Sequence, residues 1–384
     1  MMNKAFNRRH RNKNILMYAD SESDANMLYG TSLQVPDPFI FIRTAQGRRH
    51  LVMSDLEIDR ARVQSNAHKV HSLTDYIALA KKQFGKTSDV PEILTTILRD
   101  LGLRSVAVPM SFPVGLADTM RKHGVKITPL PDPFYPERIY KRPGELVEIK
   151  KAFRATEKGM RAAIDTLEAS RIRNGYLIYK GKRLTVEKLR SIINTTVLSL
   201  GYVPNGTIVA PGKQGCDPHE RGSGTIRAHE PIILDIFPRS ETSGYFADMT
   251  RTVVRGRASD MVKNMYRAVY EGQRLGLKLI RHGARARQVH SAINGLFEER
   301  GFYTGKKNGR MQGFFHGTGH ALGLEIHEPP RIAINNATLE KGMVLTVEPG
   351  LYYYPHGGIR IEDTVVVTRT GIENLTRFPK FLEI

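Results

Sequence analysis

Gly357-Gly-Ile-Arg-Ile-Glu-Asp-Thr364 reads as a turn followed by a strand, because a glycine pair precedes alternating apolar and charged residues. Alternation puts Ile361 on one face and both Arg360 and Glu362 on the other. Back along the chain, four more short runs each carry one side chain able to bind a metal. Asp235 closes Pro231-Ile-Ile-Leu-Asp235, and Asp248 lies in Gly244-Tyr-Phe-Ala-Asp-Met-Thr-Arg-Thr252. His320 closes His316-Gly-Thr-Gly-His320, and Glu348 lies in Thr346-Val-Glu-Pro-Gly350. Four carboxylates and one imidazole are too much negative charge for one buried pocket unless cations neutralise it. Oxygen ligands with a single nitrogen suit a pair of divalent ions, Mn²⁺ first, with Zn²⁺, Co²⁺ or Fe²⁺ also compatible. Two such ions roughly 3.5–4 Å apart can share a water, lower its pKa and clamp a reacting carbonyl. The pattern points to a two-metal hydrolase.

Together these runs resemble the metallopeptidases of the pita-bread fold, the group of Xaa-Pro aminopeptidase, prolidase, methionine aminopeptidase and creatinase. The likeness runs from about Arg142 to the C-terminus, and every ligand position is filled. It implies a curved antiparallel sheet covered by helices and built from two similar halves, preceded by a smaller α/β creatinase-like domain. It also implies roles. Glu362 and Asp248 bridge two ions, Asp235 chelates one, and His320 and Glu348 bind the other. Glu348 accepts the proton of the attacking water. His219, His316 and His327 line the substrate side, where an imidazole donates to a developing oxyanion. Arg360 lies near the substrate carboxylate.

The implied activity is hydrolysis, by a metal-bridging hydroxide, of the bond between an N-terminal residue and proline. The enzyme is then an Xaa-Pro aminopeptidase or dipeptidase, a homodimer acting on short peptides with proline second. Methionine aminopeptidase is the near alternative, although its minimal form needs no N-terminal domain. A non-catalytic pita-bread binding module is the rival, and the complete ligand set opposes it. Two features depart from the family pattern. Phe237 stands where glycine is usual, and Asp235 and Asp248 are thirteen residues apart, a longer separation than expected. A hairpin lengthened by two residues keeps its facing, because alternation has period two.

The 384 residues are 40% hydrophobic and 25% charged, ordinary for a soluble globular chain. No apolar run approaches the ~20 residues of a membrane span. No apolar core follows the basic start, so no signal peptide is expected. The single cysteine, Cys216, allows no internal disulfide and reads as a bystander thiol; a cytoplasmic location is the expectation. The net charge is +20, with 20 Lys+Arg against 14 Asp+Glu in residues 1–140 and 38 against 24 in the rest. Spread in this way, the excess reads as a solvated basic surface, and a nucleic-acid partner is not expected.

The class is α+β in three segments: a flexible basic leader over 1–13, an N-terminal α/β domain over 14–135 and the catalytic domain over 136–384. In the α/β domain, strands expected at Phe39–Arg43, Arg49–Met53 and Ser105–Pro109 alternate with helices beginning near Ser72 and Pro91. The proline-rich run 129–136 reads as a non-helical linker. A long helix is expected from Pro143, where Leu146, Ile149, Phe153, Met160, Ala163 and Leu167 recur at helical spacing. Further helices are expected near 184–200, 259–281 and 286–300, and Ile361–Thr368 reads as one continuous strand.

Overall fold

A computed structural model of the chain describes residues 10, 12–86 and 88–384. Most of the basic leader expected over 1–13 lies outside the described residues. The chain divides into two compact units, Met1–Glu137 and Arg138–Ile384.

The first unit is built on a six-stranded mixed sheet. Its spatial order is Lys69–Ser72, Arg49–Met53, Phe39–Arg43, Ile15–Ala19, Ser105–Pro109 and Lys126–Leu130. Alternation buries both faces. Leu16, Ile40 and Ile42 pack under helices Leu73–Phe84 and Val90–Asp100, while Ile15, Met17, Phe39 and Phe41 pack against Met27, Ile58 and Ala61. The proline-rich run differs from the expected linker. Pro129 and Leu130 belong to the edge strand, Phe134 and Tyr135 are buried in the core, and Pro136–Ile139 forms a 3₁₀ turn. Aromatic burial outweighs the local preference of the prolines for an extended path. Pro129 is tolerated because it sits on a strand at the edge of the sheet.

The second unit has two halves, each a sheet covered by two helices. In the first half, strands Ile208–Pro211, Pro231–Ile236 and Met249–Val254 pair antiparallel. Helices Pro143–Glu168 and Val186–Leu198 cover it, packing Met160, Ile164, Leu167, Leu189 and Ile193 on Val209, Ile232, Leu234 and Val253. Pro143 opens the long helix, and the Glu145 carboxylate accepts from the Arg142 backbone N–H at 2.6 Å. In the second half the strand order is Glu328–Ile332, Gly319–Ala321, Val344–Val347, Asp363–Val367 and Ile372–Asn374. Helices Asp260–Leu279 and Ala286–Glu299 cover it, packing Val262, Met265, Val269, Val289 and Ile293 on Ala321, Leu345, Val347 and Val365. The hairpin Gly350–Tyr353 with Gly357–Arg360 and three further small sheets belong to the same unit. No helix among the described residues is long and apolar enough to cross a membrane.

The run expected as one strand from Ile361 is interrupted. Gly357–Arg360 and Asp363–Val367 belong to different sheets, and Ile361 and Glu362 fall between them. Arg251, 2% exposed, explains why the break holds. Its guanidinium donates to the Glu362 carbonyl at 2.5 Å and to the Phe378 carbonyl at 2.6 Å, and pairs with Asp363 at 2.9 Å. One first-half residue thus pins the junction of the second half and the C-terminal segment. Arg251→Ala leaves Lys380 on Asp363 but takes the donor from two buried carbonyls, those of Glu362 and Phe378, so it is expected to destabilise the second unit by about 2–4 kcal/mol. The urea midpoint of that unit's transition measures it, and an unchanged midpoint contradicts the assignment.

Candidate metal centre

The two halves deliver the ligands from opposite sides. Asp235 is directly opposite Thr250 in the antiparallel pair, so the two side chains share a face. Asp248 precedes Thr250 by two residues and stays on that face. The lengthened connection is absorbed in a tight turn in which the Gly244 N–H donates to the Ser240 carbonyl at 3.0 Å, and Gly244 has φ +75°. Phe237 packs beside Ile208, Ala210 and Tyr352, filling space that a glycine would leave open. From the second half come His320, inside its strand, and Glu348, just past the end of Val344–Val347. Glu362 sits at the break between strands, its N–H bonded to the Thr250 carbonyl at 3.1 Å. Gly319 is required by packing: a β-carbon there would lie 2.0 Å from the Thr346 carbonyl oxygen.

The geometry brings three of these candidate ligands into one cluster, with Glu348 beside His320. Asp248, His320 and Glu362 present atoms that all lie within 4.8 Å of one another. The His320 Nδ1 is 3.1 Å from the Ala321 carbonyl, which assigns its proton there and leaves Nε2 as a lone pair. That Nε2 is 3.3 Å from a Glu348 oxygen and 3.6 Å from an Asp248 oxygen. Asp235, Asp248 and Glu362 each keep one buried carboxylate oxygen without a hydrogen-bond partner. Buried acceptors are nearly always satisfied, so three orphaned oxygens in one pocket mark a place for cations. The donor set fits divalent ions, and Asp235, Asp248, His320, Glu348 and Glu362 would hold them.

The electrostatics agree. Asp248 and Glu362 are pushed well above the ordinary carboxylate range, by burial first and then by each other's neighbours, Asp235 and Glu348 among them. Glu348 is pushed up to about 7, by burial above all, with Arg360 opposing and Asp235 adding. Burial and the nearby His327 push His320 down to about 3, so the imidazole is neutral and ready to donate a lone pair.

The expected substrate-side residues divide into two groups. His219 and His327 are exposed at the site, and the His327 ring meets His320 edge-on with centroids 4.4 Å apart. His219 lies close enough to be felt by both His316 and His327. His316, by contrast, has both nitrogens engaged, Nδ1 with the Gly317 carbonyl at 2.8 Å and Nε2 with the Tyr352 hydroxyl at 2.9 Å. Arg360 is 3% exposed and donates to Asp235 at 2.7 Å and Tyr352 at 3.1 Å. It therefore braces a ligand from within the protein. Four supporting residues escaped the sequence reading. Thr250 donates to Glu362 at 2.9 Å, and Thr346 is bonded by the His320 N–H at 3.0 Å and lies 3.3 Å from Glu348. Tyr352 joins His316 to Arg360, and the exposed Arg331 stands opposite His320 in the paired strands.

Comparison with known proteins places this geometry. The model of metallopeptidase family M24 matches residues 147–369, and the chain belongs to that family. It is 28% identical over 280 residues to the Xaa-Pro dipeptidase of Pyrococcus horikoshii, covering 72% of this chain and 74% of that one. It is 32% identical over 264 residues to Xaa-Pro aminopeptidase 1 of Streptomyces coelicolor, covering 62% of this chain and 52% of that relative, so it spans about half of the latter's length. Among solved structures, the X-Pro aminopeptidase of Thermotoga maritima is similar over 97% of both chains, with TM-score 0.78 and 25% identity. The Xaa-Pro dipeptidase of Bacillus anthracis has the same fold, with TM-score 0.81 and 22% identity over 100% of this chain and 98% of that one. The fold is the pita-bread arrangement expected from the ligand runs, and the class is metallopeptidase.

Crowded acids destabilise the metal-free protein, and a cation that binds only the folded state stabilises it, by about 2.7 kcal/mol at a hundred times Kd. Added Mn²⁺ is thus expected to raise the thermal midpoint of the chelator-stripped protein. Glu362→Gln is expected to raise the metal-free midpoint and shrink the Mn²⁺ response. A metal-free midpoint that falls in Glu362→Gln, with the Mn²⁺ response intact, contradicts the ligand assignment.

Proposed function

We propose that this protein is a two-metal exopeptidase that cleaves between an N-terminal residue and a following proline, with Mn²⁺ as its working metal. The observation that carries this reading is the set of three orphaned buried carboxylate oxygens, on residues of which two cluster with the neutral His320 imidazole. Membership of metallopeptidase family M24 supports it, as do relatives named Xaa-Pro dipeptidase and Xaa-Pro aminopeptidase. When bound, the divalent ions supply Lewis acidity that acidifies a water and polarises the scissile carbonyl. The protein does the rest. Glu348, set on the strand end beside Thr346, takes the proton of the attacking water and passes it to the leaving proline nitrogen. His219 and His327, exposed at the site, donate to the carbonyl oxygen as negative charge develops there. Arg360 and Tyr352 fix Asp235, and the His316 ring is held by the same hydroxyl.

The test is a peptide panel with purified protein and Mn²⁺, Co²⁺ or Zn²⁺: Xaa-Pro dipeptides, Xaa-Pro-Yaa tripeptides and Met-Ala-Ser. Cleavage of the proline peptides is expected, with loss of activity in Asp248→Ala and a retained fold. Cleavage of the methionyl peptide alone, or full activity in Asp248→Ala, overturns the reading. Between dipeptidase and aminopeptidase, Arg331 is the discriminating residue. It is an exposed cation opposite His320, and its charge is felt at His320, His327 and Glu348. A free substrate carboxylate close to the scissile bond would meet it. Arg331→Ala is expected to raise KM for Xaa-Pro dipeptides about tenfold, the scale of one charge-assisted hydrogen bond, and to affect longer peptides less. Equal effects on both lengths contradict this role.

A further inference from the structure

The net charge of +20 finds no use in the metal centre, whose ligands are acidic. Folding concentrates part of that charge. Between Glu168 and Glu187 the chain carries Arg171, Arg173, Lys180, Lys182 and Arg183 and no acid. This run forms a three-stranded antiparallel sheet, Arg171–Arg173, Tyr176–Tyr179 and Lys182–Arg183.

The pairing register decides which side chains share a face. Arg173 is opposite Tyr176, Arg171 opposite Ile178, and Ile178 opposite Arg183. Tyr176 also forms a β-bridge with Arg227, and Thr185 with Thr225. Residues directly opposite one another point the same way, as do residues two apart. One face therefore holds Arg171, Arg173, Arg183, Arg227, Tyr176, Ile178 and Thr225. The reverse face holds Leu177, fully buried against the core with Leu184 and Ile226, so the platform is rigid. All four arginines are exposed.

We infer that this outer face binds single-stranded nucleic acid. Two guanidinium groups flank the one aromatic ring of this face, Arg183 over Tyr176 at 4.2 Å and Arg227 at 5.4 Å, and pairing register puts Arg171 and Arg173 on the same face. Arg227 is paired with Glu230 at 3.2 Å, and the Glu187 carboxylate is taken by the Gly224 N–H at 2.9 Å. Among the described residues no carboxylate forms an ion pair with Arg171, Arg173 or Arg183, so three planar charges remain for a ligand. Guanidinium matches phosphate oxygens two at a time, and it stacks on bases as readily as on tyrosine. Arg171 and Arg173 stand roughly 6.6 Å apart along their strand, far enough to hold different phosphates. An acidic protein surface would use the charges but not the aromatic ring. A duplex hides its base faces, whereas an unpaired base can stack on the Arg183 guanidinium that lies on Tyr176, or take its place on the ring. The averaged charge hides this, because it is strand pairing that brings the cations onto one face.

The experiment is fluorescence anisotropy of the full-length protein with fluorescein-labelled rU12 and dT12, a 12-base-pair duplex, and heparin as competitor, at several salt concentrations. Binding of rU12 or dT12 is expected to exceed binding of the duplex, and the preferred strand identifies RNA or DNA as the source. The salt slope is expected to correspond to about three phosphates, since each neutralised phosphate contributes roughly −0.7. Arg171→Gln/Arg173→Gln/Arg183→Gln is expected to weaken binding more than tenfold, and Tyr176→Ala about tenfold without changing the salt slope. Peptide hydrolysis and the thermal midpoint are expected to stay at the parent level in both variants. Undetectable binding at 100 mM salt, equal affinity of parent and triple variant, or indifference to Tyr176→Ala with duplex bound as tightly, overturns the inference.

Discussion

Mutual repulsion of four carboxylates in one pocket is the constraint to which the second unit is built. Asp235, Asp248, Glu348 and Glu362 are brought together by strands from both halves, and burial removes the water that would otherwise keep them apart in energy. Among the described residues one buried cation, Arg360, faces them, and its charge is held firmly: burial opposes it, but Tyr352, Asp235 and Glu348 more than compensate. One positive charge is too little for four acids. The remaining lone pairs suit ions of higher charge, and this is what makes the pocket a candidate metal centre and not a salt-bridge cluster.

Much of the surrounding structure serves to hold this unfavourable arrangement in place. Thr250 braces Glu362 from the neighbouring sheet, and Thr346 accepts from the His320 N–H and donates to Glu348, two residues along its own chain. Arg251 ties the strand carrying Thr250 to the backbone of Glu362, and its own charge is matched by Asp363, to which Asn374 also donates at 2.9 Å. Tyr352 couples His316 to Arg360 and so to Asp235. The candidate ligands therefore sit in or at the ends of paired strands whose backbone bonds fix them before any ion arrives, which is the preorganisation a catalytic metal site needs.

The ligand runs were legible because chemistry demands rare residue types in short contexts, and strand alternation tells which of them share a face. Thr250 and Thr346 were legible by the same rule, since each is two residues from a ligand, but hydroxyls carry no distinctive signal alone. The interruption at Ile361–Glu362 was not legible: the run Ile361–Thr368 has an unbroken β-pattern, and only tertiary bonds from Arg251 and Thr250 stop it. The engagement of His316 and Arg360 inside the protein was hidden for a related reason, because their partner Tyr352 lies on a hairpin whose folding brings it back. In the first unit, prolines 129–136 suggested a linker, whereas the burial of Phe134 and Tyr135 decides the path of the chain.

Divalent cations, by completing the acid cluster, are what would make it stable. Metal content of the purified protein, measured by plasma mass spectrometry after equilibration with Mn²⁺ and removal of free ion, tests this directly. About two equivalents per chain, falling in Asp235→Asn, is the predicted result. A chain that retains no metal under these conditions, while keeping its fold, contradicts the account.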